Sequence, residues 1–201
     1  MIPKLLLLDI YYYVYKIYTI NERNRLKCYK FKKTYIWKHA SNWLVSIGFS
    51  FGGLISLKAL EFNETLIKKA YLIAPVYIVN GNPFLGLFKM FLPLKKFIKT
   101  NKQHYIKKVM NVLFSEYDDF ALAYMSNTFQ YCNMDFSPLP IISKKSAQNI
   151  KTPITLIACE GDIMFPGKKM ISRAKKIFPA LKETMILRGS KHVPNTKDFK
   201  L

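Results

Sequence analysis

Trp43-Leu44-Val45-Ser46-Ile47-Gly48-Phe49-Ser50-Phe51-Gly52-Gly53 is the stretch that decides how this chain folds. Its first part is a short apolar run rich in β-branched residues, the pattern of a buried strand. Its last part matches G-x-S-x-G, extended by Gly53. Beyond it Leu54, Ile55, Leu57, Ala59 and Leu60 recur at helical spacing as far as about Phe62, which predicts a largely buried helix. A strand, a very tight turn and a helix therefore follow one another, with Ser50 on the turn. Gly48 and Gly52 supply the small residues that let strand and helix approach. The serine hydroxyl then projects above the sheet, and the helix N-terminus faces any negative charge that develops there.

Working outward, residues 70–76 and 153–159 read as further strands, and residues 184–187 as a short last one. Residues 166–178 read as a helix. Asn80-Gly81-Asn82-Pro83 is a cluster of turn formers that marks a boundary. From Phe84 to about Tyr131 the periodicity is helical, with interruptions near Pro93 and around Ser115, and Ser137-Pro138-Leu139-Pro140 closes that region. Upstream, residues 5–10 read as a buried strand ending in Asp9-Ile10, and residues 29–41 as a helix. Strands alternating with helical segments define an α/β fold, a mostly parallel sheet joined by right-handed crossovers. The expectation is one domain over residues 1–201, with a helical lid inserted at residues 80–136.

A serine hydroxyl is a poor nucleophile until a base takes its proton and an acid orients that base. Asp162 lies in the turn after the strand at 153–159, just ahead of a helix with proline near its first turn, and so at the C-terminal edge of the sheet. Glu160 is an alternative acid nearer the strand. Of the three histidines, His39 precedes the turn serine and His104 lies in the helical insertion. His192 follows the last strand in Gly189-Ser190-Lys191-His192-Val193-Pro194. The stretch from Asp162 to His192 has the length of one helix plus one strand, so both loops can emerge on the same edge.

These three motifs, in the order Ser, acid, His, closely resemble the α/β-hydrolase superfamily, in particular its lidded, carboxylesterase-like members. The resemblance covers nearly the whole chain. It implies a serine hydrolase with Ser50 as nucleophile, His192 as general base, Asp162 as its orienting acid and the backbone N–H of Phe51 as one oxyanion donor. It implies no cofactor and no metal, and a small-molecule substrate, an ester by family frequency, whose choice is shaped by the segment after Ala74. The Phe, Leu and Met content of residues 84–134 points to an apolar pocket and so to an apolar acyl group, against the plainer reading of that content as core packing. Members of that superfamily usually carry several strands ahead of the serine turn, and a loop, often containing His-Gly, that supplies a second oxyanion N–H. Here residues 5–10, with Asp9, resemble the strand just before the turn unit. The expectation is thus an N-terminally shortened chain with an exposed apolar sheet edge that favours self-association. The alternative reading is a catalytically impaired hydrolase scaffold that serves as a binding or interaction module.

Composition bounds these readings. Half of the 201 residues are hydrophobic and 15% are aromatic, enough apolar surface for a folded core and contrary to a disordered chain. The formal charge of +20 raises nucleic acid or an anionic membrane surface as a partner. Only Arg23, Arg25, Arg173 and Arg188 are arginine, however, whereas phosphate and base readers favour the bidentate guanidinium. The lysines therefore read as solvated surface rather than a nucleic-acid site. Cys28, Cys132 and Cys159 are an odd number without metal-ligand spacing, which fits a reducing cytoplasm and neither a disulfide framework nor a zinc site. The early run Leu5-Leu6-Leu7-Leu8 is cut by Asp9, and the following apolar stretch is tyrosine-rich and broken by Lys16, unlike a signal sequence or a membrane span.

Overall fold

Four of the apolar runs become strands: β1 (Leu44–Phe49), β2 (Ile67–Ile73), β3 (Ile154–Cys159) and β4 (Leu181–Leu187). The computed structural model describes residues 44–132, 139–195 and 197. The readings for residues 5–10 and 29–41, together with Cys28, His39 and the Ser137-Pro138 closure, lie outside them. The strands form one parallel sheet in the order β1-β2-β3-β4. Parallel neighbours need a crossover, and helices provide it. Helix α1 (Phe51–Phe62) joins β1 to β2, and α7 (Gly167–Ile177) joins β3 to β4. Between β2 and β3 lie α2 (Pro83–Gly86), α3 (Leu92–Thr100), α4 (Gln103–Leu113), α5 (Asp119–Tyr131) and α6 (Lys144–Asn149).

The main core sits on one face of the sheet. Leu72, Ile154, Leu156 and Ala158 pack there against Leu57 and Leu60 of α1 and Met170 and Ala174 of α7. Every residue of β3 is buried, which is why its sequence is a continuous apolar run rather than an alternating one. On the opposite face Ile157, Cys159 and Leu187 form a smaller cluster. β1 departs from the buried-strand reading: Val45 and Ile47 on that face are 53% and 71% exposed. Among the described residues β1 is an edge strand, paired with β2 alone, so burial reaches only its α1 side.

The helical insertion has a core of its own, built from Phe97, Ile106, Val109, Met110 and Phe129. Its sequence misleads at Pro93. Instead of breaking there, the chain runs helically through residues 83–100, because a π-helical turn at Leu87–Phe91 widens the coil just before the proline. The proline then falls in the first turn of α3, where its missing N–H costs nothing. The real break is at Asn101, in the left-handed conformation with φ 54°. Two further differences are local. β2 starts and ends three residues earlier than residues 70–76 suggest, because its two lysines hide the alternation and Ala74 turns out of the strand at φ 42°. The short helix α6 carries no apolar periodicity to announce it; Ser143 caps it by accepting from the Ser146 N–H at 2.9 Å.

Candidate active site

The parallel register aligns Phe49, Ile73, Ile157 and Met185 in one row, so the loops that follow all leave from the same C-terminal edge. Ser50 sits between Phe49 and α1 with φ 51° and ψ −115°, outside the regions that residues with a Cβ ordinarily occupy. Such a conformation costs about 1–3 kcal/mol and persists only where the surroundings impose it. Here its N–H donates to Ile73 O at 2.9 Å, and its carbonyl accepts from the N–H groups of Gly53 and Val76, both at 3.0 Å.

The glycine requirement falls differently from the sequence reading. A Cβ on Gly48 would stand 2.6 Å from Gly52 O and 2.7 Å from Ser56 Oγ, and one on Gly53 would collide with Pro75. One on Gly52 would meet nothing within 4 Å. The close approach of strand and helix therefore rests on Gly48 and Gly53. Gly52 contributes a carbonyl instead, accepting from the Ser56 hydroxyl at 2.9 Å.

His192 reaches the same place from the loop after β4. Its Nε2 is 2.8 Å from Ser50 Oγ, and its Nδ1 is 2.7 Å from Asp162 Oδ2. Both His192 and Asp162 are buried, at 7% and 3% exposure. The other carboxylate oxygen of Asp162 accepts from the N–H groups of Met164 at 2.8 Å and Phe165 at 3.0 Å. Asp162 is thus a turn cap through one oxygen and a histidine partner through the other. An acceptor at Nδ1 favours the tautomer that carries its proton there, which leaves Nε2 free to accept from the serine hydroxyl.

Glu160, the alternative acid, points elsewhere. Its Oε1 lies 2.9 Å from Lys168 Nζ, and its Oε2 accepts from the Gly189 N–H at 3.3 Å. The Lys168 hydrogen bond first, then that of Gly189, holds its carboxyl below the usual glutamate value. It ties the two loops together beside the site without touching His192. His104 lies on α4, beside Tyr105.

Three contributors escape a reading of the sequence. The rings of Phe49 and Phe165 flank the imidazole, with centroids at 5.3 and 5.4 Å, and restrict its rotation. The end of α4 grips the His192 loop: Val193 N–H donates to Leu113 O at 2.8 Å, Ser115 N–H to Val193 O at 2.9 Å, and Lys191 N–H to Ser115 Oγ at 2.9 Å. Phe165 carried a faint signal, since an Asp in a turn commonly accepts from the backbone N–H groups two and three residues on, here those of Met164 and Phe165. Ser115, distant in sequence from His192, carried none.

A parallel sheet with the serine turn, acid and histidine loops on its C-terminal edge defines the α/β-hydrolase fold, and the chain has that fold. Similar solved structures include the naproxen esterase (carboxylesterase NP) of Bacillus subtilis, 16% identical with a TM-score of 0.61, over 77% of this chain and 55% of that one. An esterase from Rhodococcus sp. ECU1013 is 13% identical with a TM-score of 0.59, over 79% and 62%. The meta-cleavage product hydrolase of Pseudomonas fluorescens IP01 is 9% identical with a TM-score of 0.54, over 73% and 56%. The chain spans little more than half the length of most of these structures. No protein-family model matches it, and a search of curated proteins gives no match.

Proposed function

We propose that the protein is a serine hydrolase that cleaves carboxylic esters through an acyl-serine intermediate. The observation that carries this reading is the relay of short contacts from Ser50 Oγ through His192 to Asp162, mounted on a backbone strained at the serine itself. In the proposed cycle His192 Nε2 takes the hydroxyl proton as Ser50 Oγ attacks the ester carbonyl carbon. The oxyanion that forms faces the N-terminus of α1, where the Phe51 N–H donates to it. The C–O bond to the alcohol breaks as His192 returns the proton to the leaving oxygen. Water, activated by the same imidazole, then attacks the acyl carbon and frees Ser50. Asp162 stabilises the imidazolium formed in each half. Two of the three structures described above are esterases, which supports ester over other acyl substrates. The apolar residues of the insertion give less support for an apolar acyl group, since Phe97, Ile106 and Met110 are used up in the insertion's own core.

Labelling of the purified chain by a fluorophosphonate probe tests the proposal. Wild-type protein is expected to label, Ser50→Ala not at all, and Asp162→Asn on the order of 10⁴-fold more slowly, because the asparagine amide favours the wrong imidazole tautomer. Glu160→Gln is expected to label like wild type. Folded wild-type protein that takes no label overturns the reading, and slowing by Glu160→Gln but not by Asp162→Asn reassigns the acid.

A further inference from the structure

The helical run over residues 83–100 presents an outer face that its own core does not use. Phe84 and Phe88 are 69% and 63% exposed, and Leu85, Leu87 and Leu92 between 38% and 43%. Phe84, Phe88 and Leu92 recur every four residues and so follow one side of the run, which is about 27 Å long. Single exposed apolar side chains are ordinary on a protein surface, whereas a contiguous group marks a contact surface.

The charge around this face narrows the partner. Seven lysines and no Asp or Glu fall within residues 83–114. Lys89, Lys95, Lys96 and Lys99 are exposed on the run itself, and among the described residues none of the seven forms an ion pair. A second copy of the chain is a poor occupant, because apposed patches would bring like charges together. Nucleic acid fits the lysines but gives the aliphatic side chains nothing to enter, and the segment has no arginine. An anionic lipid surface satisfies both components, with apolar side chains entering the headgroup–acyl boundary and ammonium groups meeting lipid phosphates and carboxylates. No helix among the described residues is long and apolar enough to cross a membrane, and a one-sided apolar face flanked by lysines is the pattern of a helix that lies in the interface plane.

We propose that the face carrying Phe84, Phe88 and Leu92, flanked by Lys89, Lys95 and Lys96, docks the protein onto an anionic lipid bilayer. This departs from the reading of the lysines as solvated surface, and it does so for this segment alone.

Co-sedimentation of the full chain with vesicles of phosphatidylcholine, with and without phosphatidylserine, tests it. Wild-type protein is expected to sediment with the mixed vesicles only. Phe84→Ser combined with Phe88→Ser should lower the partition coefficient about tenfold or more, and Lys95→Gln with Lys96→Gln roughly 30-fold. All four side chains are exposed, so these changes leave the fold intact. Lys151→Gln with Lys182→Gln, a matched loss of charge elsewhere, should leave partitioning within about twofold. Ser50→Ala should bind like wild type, so docking and hydrolysis fail independently. The proposal is overturned if wild-type protein ignores the mixed vesicles, if the control lysines matter as much as Lys95 and Lys96, or if the phenylalanine changes have no effect. It is equally overturned if sedimentation velocity without lipid shows a dimer that those phenylalanine changes abolish, which would give the face to a second copy.

Discussion

At Ser50 the chain holds a Cβ-bearing residue at φ 51°, and three backbone hydrogen bonds keep it there. The strain serves geometry, since a relaxed turn would carry Oγ away from His192 Nε2. Replacing Ser50 by glycine and by alanine separates strain from hydroxyl, because both lose the hydroxyl but only glycine relaxes the backbone. Ser50→Gly is expected to be about 1 kcal/mol more stable than Ser50→Ala in urea denaturation, the relief of strain outweighing the entropy glycine adds to the unfolded chain. An alanine variant as stable as the glycine variant would show that no strain is stored at this residue. Ser50 and His192 could be read from the sequence because loop chemistry follows chain order. The family resemblance favours Asp162 over Glu160, while the residues alone leave both open, since two carboxylates two residues apart differ only in which way the turn points them; the fold turns Asp162 to His192 and Glu160 to Lys168.

At the scale of elements, the junction of β1 and α1 depends on how closely two backbones pass. Gly48→Ala is expected to cost about 1–3 kcal/mol, because its Cβ would press on the immovable Gly52 carbonyl. Gly52→Ala, in the first turn of α1 with open space around its Cβ, is expected to be neutral or stabilising by up to about 1 kcal/mol. Thermal denaturation of the two variants decides it, and the reverse order would mean that strand and helix do not meet as described. The motif pattern treats both glycines alike, and only the distance between elements separates them. The π turn before Pro93 makes the same point: proline reads as a break in sequence, yet a local widening of the helix accommodates it. Strand β3 needed no such correction, because six buried residues in a row leave their apolar pattern in the sequence itself.

For the molecule as a whole, the +20 charge opposes compaction through self-repulsion that salt screens. Raising NaCl from about 0.02 M to about 0.3 M is expected to stabilise the protein by about 1 kcal/mol, a rise in Tm of roughly 2–4 °C. A Tm that falls or stays level would mean that the lysines are already neutralised within the fold. Between them, apolar periodicity and turn chemistry determined the α/β class, the serine turn and the order of Ser50, acid and His192, because these are local properties that each segment carries alone. Tertiary structure decided which carboxylate meets the histidine and which glycines lack room. It also sent most apolar residues of the insertion into a private core and left Phe84 and Phe88 outside it. Each of those outcomes depends on distances between segments far apart in the chain, as when Ser115 grips the loop of His192, and no stretch of sequence carries such a distance by itself.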